Sequence, residues 1–283
     1  MSTLLPPGER IVRASYGYGA VADEISSLHR DVTTEDYASE QSDYHEAKAR
    51  SYVLPVLREK PAVTVLDVGC GIGGMVQTIA QAGYQAFGVD LIGLDRRWRE
   101  LDRPSDRFFV VDPMRFALPF SDGAIDFSFS LGVIEHVGTT DGHAERRSDW
   151  HEMRQAWLRE IFRTLSVGGR MLIGGPNRGF PIDVAHGLDS RASPWEHWLT
   201  GRIGRSVHKT WGDNFLWGFD DIPRYLSGLA FTMEPRSVEG LLDFGRVPSA
   251  LRTVARAYIR YMPRPLLATG MNPWMLAVIT RTD

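Results

Sequence analysis

Asp67-Val-Gly-Cys-Gly-Ile-Gly-Gly74 decides how this chain folds. It follows a strand-like run, Val63-Thr-Val-Leu66, and opens onto a helix-like one, Met75-Val-Gln-Thr-Ile-Ala-Gln-Ala82. Strand, glycine turn and helix N-terminus together let backbone approach a nucleotide-like ligand closely. A Cβ in such a turn would clash with the ligand or forbid positive φ. Asp67 lies two residues before the first glycine, where a dinucleotide turn usually carries a small or apolar residue. A second acid, Asp90, closes the next apolar run, Ala86-Phe-Gly-Val89, 21 residues after Gly69. An acid at the tip of a second strand is placed to accept hydrogen bonds from both hydroxyls of a ribose.

Outward from the turn the rhythm persists. Phe108-Phe-Val-Val-Asp112 reads as a third strand ending in an acid, and Ala124-Ile-Asp-Phe-Ser-Phe-Ser130 as a fourth. Val133-Ile-Glu-His-Val137 follows it. Leu158–Leu165 reads as a helix, Gly168-Gly169 as a turn and Arg170–Ile173 as a fifth strand. Strand–helix alternation from Ala62 to Gly175 predicts a doubly wound α/β fold with a mostly parallel sheet. Phe127, Phe129, Trp150 and Trp157 are expected in the core.

In these residues the chain resembles the class I methyltransferases that use S-adenosylmethionine. Their acid-x-Gly-x-Gly-x-Gly motif is met by Asp67, Gly69, Gly71 and Gly73, and the similarity spans roughly residues 60–178. The resemblance implies a seven-stranded sheet with an antiparallel last strand. It implies that S-adenosylmethionine is bound and S-adenosylhomocysteine released. Gly69, Cys70 and Gly71 would face the methionine portion, and Asp67 would orient the turn and meet the ammonium through water. Asp90 would hold the ribose, Leu91 would flank the adenine, Asp112 would accept from its amino group, and Met114 would pack on the ring. Leu131, at the tip of strand four, would line the floor under the sulfonium. A nicotinamide-dependent enzyme and a cofactor-binding scaffold without catalysis are the alternatives from other classes.

The flanks are less regular. A helix is expected from about Thr34 to Leu57, as part of a helical cap over residues 1–60. Residues 61–283 form the catalytic domain in this reading, with an irregular acceptor lid at about 176–218. Beyond it the pattern predicts a short helix near Asp220–Leu229 and a strand at Ala230–Val238. A helix at Pro248–Tyr261 and a last strand at Trp274–Thr280 complete the chain.

Methyl transfer needs an acceptor held in line and relieved of its proton. Glu135 and His136 follow strand four, where a histidine could serve as base or simply begin a helix. Asp183 and His186 in the lid offer a rival, a histidine with its orienting carboxylate. Asn177, Trp195, His197 and Trp198 are candidate acceptor contacts. Trp195, Trp198, Trp211 and Trp217 are four of the chain's eight tryptophans within 23 residues. Aromatic faces beside polar side chains suit a sugar or glycan hydroxyl; they equally suit a small core of the lid itself. Polyketide or quinone-like rings, carboxyls and amines are the other acceptors considered. No metal site is expected: paired histidines at helical spacing are absent, and Gly138–Glu145 reads as a solvated loop.

A formal charge of −3, from 32 basic and 35 acidic residues, argues against a general nucleic-acid partner. The Asn/Asp-Pro-Pro-Tyr/Phe signature that clamps a flipped base is also missing. Arg252, Arg256 and Arg260 share one face of a helix, which suggests a peripheral contact with an anionic membrane surface. A single cysteine, the absence of a long apolar run and the absence of a signal pattern favour a cytoplasmic protein. Oligomeric state is open.

Overall fold

The structure, a computed structural model, describes residues 44–90, 95–111, 116–139, 145–183, 186–242, 244–245 and 247–283. Leu91, Asp112 and Met114 lie outside the described residues, as does the expected cap up to residue 43 and most of the Gly138–Glu145 loop.

Seven strands form the main sheet: β1 (Thr64–Val68), β2 (Gln85–Asp90), β3 (Phe108–Val110), β4 (Ile125–Leu131), β5 (Leu165–Pro176), β8 (Phe231–Pro235) and β9 (Trp274–Arg281). Their order is β3-β2-β1-β4-β5-β9-β8, mostly parallel with an antiparallel last strand. β1 pairs in parallel with β2 on one side, Asp67 opposite Gly88, and with β4 on the other, Asp67 opposite Phe129. The order reverses between β1 and β4, and doubly wound sheets bind ligands outside the carboxyl ends of strands at such a point. Every residue of β1 is buried, as a central parallel strand covered on both faces requires.

By internal packing the chain divides into two compact units, each contributing strands to the sheet. The first comprises the described residues up to Ser130, with Glu160–Met171 and Thr280–Asp283; the second comprises Leu131–Arg159 and Leu172–Ile279. The stretch 44–58 belongs to the first unit. It is helical throughout: α1 at 44–48, a π-helical turn at Ala49–Val53 and α2 at Leu54–Arg58. Arg170, buried on β5, donates to the carbonyls of Val56 and Leu57 and fixes the end of this helix.

In the first unit α3 (Gly74–Gln81) follows the glycine turn and α4 (Asp95–Glu100) follows β2. Phe127 and Phe129 are buried, as expected of β4. The expected Gly168-Gly169 turn lies inside β5, which begins directly after α5 (Trp150–Thr164).

The second unit holds what sequence periodicity left irregular. β6 (Ile182–Asp183) pairs antiparallel with β7 (Ser206–Val207), and between them stands α6 (Pro194–Ile203). Ser193 caps that helix, and the Glu196 carboxylate returns to accept from the Ser193 N–H at 2.7 Å. Ser193-Pro-Trp-Glu196 is a capping-box signature, legible in the sequence but absent from the expectation of an irregular lid. α7 (Asp221–Tyr225) and α8 (Ser249–Arg260) fall within their expected spans.

Candidate functional site

The turn after β1 is built almost wholly from backbone. Gly69, Gly71 and Gly73 have φ of 86°, 53° and 83°, a left-handed region that only glycine enters without strain. A Cβ on Gly73 would also collide with the Phe108 ring. The Gly69 and Cys70 N–H groups donate to the Val89 carbonyl at 2.8 and 3.1 Å, which ties the turn to the tip of β2. Two side chains unforeseen from the sequence complete the frame. The buried Trp98 indole donates to the Gly71 carbonyl at 2.8 Å, and Arg103 donates to the Ile72 carbonyl at 3.1 Å. An apolar-facing tryptophan on a helix carries no signal that its N–H closes a loop two elements away.

Asp90 stands at the end of β2, and one carboxylate oxygen accepts the Gly71 N–H at 2.6 Å. Asp67 is buried, and no described residue donates a hydrogen bond to it; this corrects the expectation that it orients the turn through backbone N–H groups. Burial, and then the nearby Asp90 charge, push the Asp67 carboxyl well above the usual carboxylate range. The same two causes, with Asp67 added, raise the thiol of the buried Cys70. Two adjacent acids at a bare-backbone turn make a pocket wall suited to a cation. Leu131 ends β4, half-buried.

The second unit gathers the candidate acid–base residues. Glu135 and His136 lie in a 3₁₀ turn, Ile134–His136, directly after β4. Glu135 is buried, and its carbonyl accepts from the buried guanidinium of Arg154, which also donates to the carbonyls of Val137 and Phe215. Burial raises the Glu135 carboxyl above the usual range, opposed mainly by His186. Asp183 ends β6 and its carboxylate meets His186 Nδ1 at 2.8 Å. His186 Nε2 then faces Glu135 Oε1 at 3.8 Å, and the His136 and His186 rings are 5.4 Å apart. The two rival histidines of the sequence reading therefore belong to one cluster.

Asn177 is engaged within the chain. It is buried, its amide donates to the carbonyls of Thr269 and Asn272, and its oxygen accepts the Gly179 N–H. Both amide hydrogens hold the chain leaving β5 against the loop before β9. Trp217 is likewise core, fully buried. The other three indoles are open: Trp195, Trp198 and Trp211 are 41%, 60% and 67% exposed. Trp195 and Trp211 stack at 6.1 Å between ring centres with 17° between planes. His197 is exposed on the same helix as Trp195 and Trp198.

Residues 66–173 match the family model described as a methyltransferase domain. This stretch is a methyltransferase domain of the class I S-adenosylmethionine-dependent kind. The methyltransferase match runs from inside β1 to inside β5. Among curated relatives, phosphoethanolamine N-methyltransferase 2 of Caenorhabditis elegans is 29% identical over 128 residues, 43% of this chain and 25% of that protein. The 2-methyl-6-phytyl-1,4-hydroquinone methyltransferase of Synechocystis is 28% identical over 167 residues, 58% of this chain and 44% of its own length. The chain thus spans less than half the length of these relatives. Haemonchus contortus phosphoethanolamine N-methyltransferase 2, solved with S-adenosyl-L-methionine, shares the fold with a TM-score of 0.50 at 15% identity, covering 93% of this chain and 61% of that one.

Proposed function

We propose that this chain transfers a methyl group from S-adenosylmethionine to a hydroxyl oxygen of a small molecule, a sugar or glycan being the favoured acceptor. The carrying observation is the turn at Gly69–Gly73 with the buried Asp67 beside Asp90. Its glycines leave room for a ligand against backbone, and the Asp90 charge beside the buried Asp67 adds repulsion between the two acids. S-adenosylmethionine offers both an ammonium and a sulfonium, which relieve that repulsion. It also supplies the methyl group and its own leaving group. The protein is left to hold the acceptor in line and to take up its proton.

Asp67, Gly69, Gly71 and Asp90 are the residues assigned to the cofactor. Asp90 would exchange or share its bond to Gly71 when it meets the ribose. In the second unit the Asp183–His186 pair is assigned the proton: Asp183 fixes the tautomer that leaves Nε2 as acceptor, and Glu135 favours the imidazolium that results. Trp195 and Trp198 are assigned to the acceptor. Their solvent-open indoles offer flat apolar faces on which the C–H face of a sugar can stack while its hydroxyls meet polar neighbours. The hydroquinone relative keeps a phenolic ring as the second reading, since a ring of that kind also stacks on indoles.

Among the described residues no helix is long and apolar enough to cross a membrane. The peripheral contact proposed for α8 keeps its support: Leu251, Val254 and Tyr258 are exposed beside Arg256 and Arg260. Arg252 is partly engaged, donating to the carbonyls of Val247 and Gly245. A cytoplasmic setting is proposed from the single buried thiol.

Turnover of methyl-labelled S-adenosylmethionine with a panel of sugars, phenols and amines tests the reading. Label appearing only in amine products would replace the hydroxyl assignment. Binding of the cofactor without turnover of any acceptor would favour a scaffold.

A further inference from the structure

Glu135, His136 and His186 each present one ligand atom, and these atoms all lie within 4.8 Å of one another. Donors bound to one ion at about 2.0–2.2 Å sit no more than roughly 4.4 Å apart, so small side-chain movements would close this set on a metal. Glu135 Oε1 and His186 Nε2, at 3.8 Å, already stand within that reach.

Three further observations point at a ligand. First, Glu135 is 1% exposed and its Oε2 has no hydrogen-bond partner among the described residues. A buried carboxylate oxygen left bare costs folding free energy unless a positive centre compensates. The buried guanidinium of Arg154 donates to the carbonyls of Glu135, Val137 and Phe215. Second, glycines stand against the carboxylate. A Cβ on Gly175 would lie 2.8 Å from Oε2, and one on Gly132 would lie 3.6 Å from Oε1. Third, Asp183 accepts from His186 Nδ1 at 2.8 Å, which leaves the Nε2 lone pair turned towards Glu135. A carboxylate behind the far nitrogen is the arrangement that orients and strengthens a histidine ligand.

We propose that Glu135, His136 and His186 form a binding site for a divalent transition-metal ion, with Asp183 as the residue that positions His186. One carboxylate and two imidazoles suit zinc, manganese, iron or cobalt in the divalent state. Magnesium and calcium prefer all-oxygen sets. Open coordination positions would accept an acceptor oxygen and lower the pKa of its proton, as Lewis-acid sites do. With the ion bound, His186 Nε2 is a ligand and the ion replaces it as the activator of the acceptor. That role rests on the methyl-transfer reading; binding of the ion does not.

The full-length protein, stripped with chelator, would be titrated with cobalt(II) and followed by its visible absorption, then challenged with zinc. We expect one equivalent to bind, with zinc displacing it. His136→Ala and His186→Ala should each weaken cobalt binding at least tenfold. Asp183→Asn should weaken it about 10–100-fold, the range typical of a residue behind a metal ligand. His197→Ala, at an exposed histidine outside the cluster, should bind as the parent does. His136 is exposed, so its variant decides the matter even where the buried variants unfold. Absence of stoichiometric binding, or a His136→Ala protein that binds cobalt as tightly as the parent, would overturn the site. Neither cofactor nor acceptor enters this titration, so its outcome is independent of whether the chain methylates a hydroxyl.

Discussion

The first unit makes its site from backbone and the second makes its site from side chains. Around Gly69–Gly73 the binding surface consists of left-handed glycines pinned to the Val89 carbonyl, with Trp98 and Arg103 holding it from behind. Around Glu135 the chemistry lies in imidazoles and carboxylates brought together from β4, β6 and the loop after it. Backbone constraint writes itself into sequence as glycine spacing. Side-chain convergence across 50 residues of chain writes nothing local. The contrast predicts that damage to the two units should have different kinetic signatures.

The largest effect is expected at the second unit. A general base or metal-bound activator typically contributes about 10²–10⁴ in rate, so His186→Ala should lower kcat by that factor with cofactor affinity unchanged. His136→Ala should lower it less, because Asp183 orients His186 for the proton and His136 is exposed. Steady-state kinetics with a saturating acceptor would separate them. Equal and near-native kcat in both would remove the histidine cluster from the reaction.

The next effect belongs to the first unit and should appear in binding. Charge-assisted bonds are each worth roughly 1.5–3 kcal/mol, so Asp90→Ala should weaken S-adenosylmethionine at least tenfold. Asp90→Asn, which keeps the acceptor for the Gly71 N–H, should lose less. Calorimetry returning the parent affinity for Asp90→Ala would break the assignment. A kcat loss with intact affinity would erase the contrast between units.

Asp67 supplies a pH dependence with a definite sign. Its folded-state pKa is raised, chiefly by burial and then by Asp90. The folded protein therefore binds that proton more tightly than the unfolded chain, and stability falls as pH rises from the ordinary carboxylate value through the raised one. Asp67→Asn should flatten this fall, seen as a smaller drop in Tm between acid and neutral pH. A cationic cofactor acts in the opposite direction and should release a proton on binding. Calorimetry in buffers of different ionisation enthalpy reads that release directly. Proton uptake would contradict a cation beside Asp67.

How much was legible follows from the same contrast. The sheet from β1 to β5 and the last strand could be read because apolar runs alternate with helical periods, and the family match covers that stretch. The lid could not. Its hairpin has strands of two residues each, too short to leave a period, and Ser193–Glu196 was a local signal passed over. The bonds of Asn177 to Thr269 and Asn272 were not legible, because a polar residue leaving a strand looks the same whether it meets ligand or caps a loop. The merging of His136 and His186 into one cluster depends on a fold of the chain between residues 137 and 183, which no spacing rule encodes.

The smallest effect tests the acceptor. Trp195 and Trp198 are exposed on α6, Trp195 stacked on Trp211 and Trp198 under the Arg202 guanidinium at 4.9 Å. An aromatic contact with a sugar or ring is worth about 0.5–1.5 kcal/mol beyond its buried area. Trp195→Ala should therefore raise the acceptor KM by only about 2- to 12-fold, with kcat and cofactor affinity held. The indole fluorescence should also respond to acceptor alone. Because the effect is confined to KM, it sharpens the comparison: backbone site for the cofactor, polar cluster for the rate, exposed indoles for the choice of acceptor. A Trp195→Ala, Trp198→Ala double variant with parent KM for every sugar and phenol tried would take the indoles out of acceptor recognition and leave the favoured glycan without support.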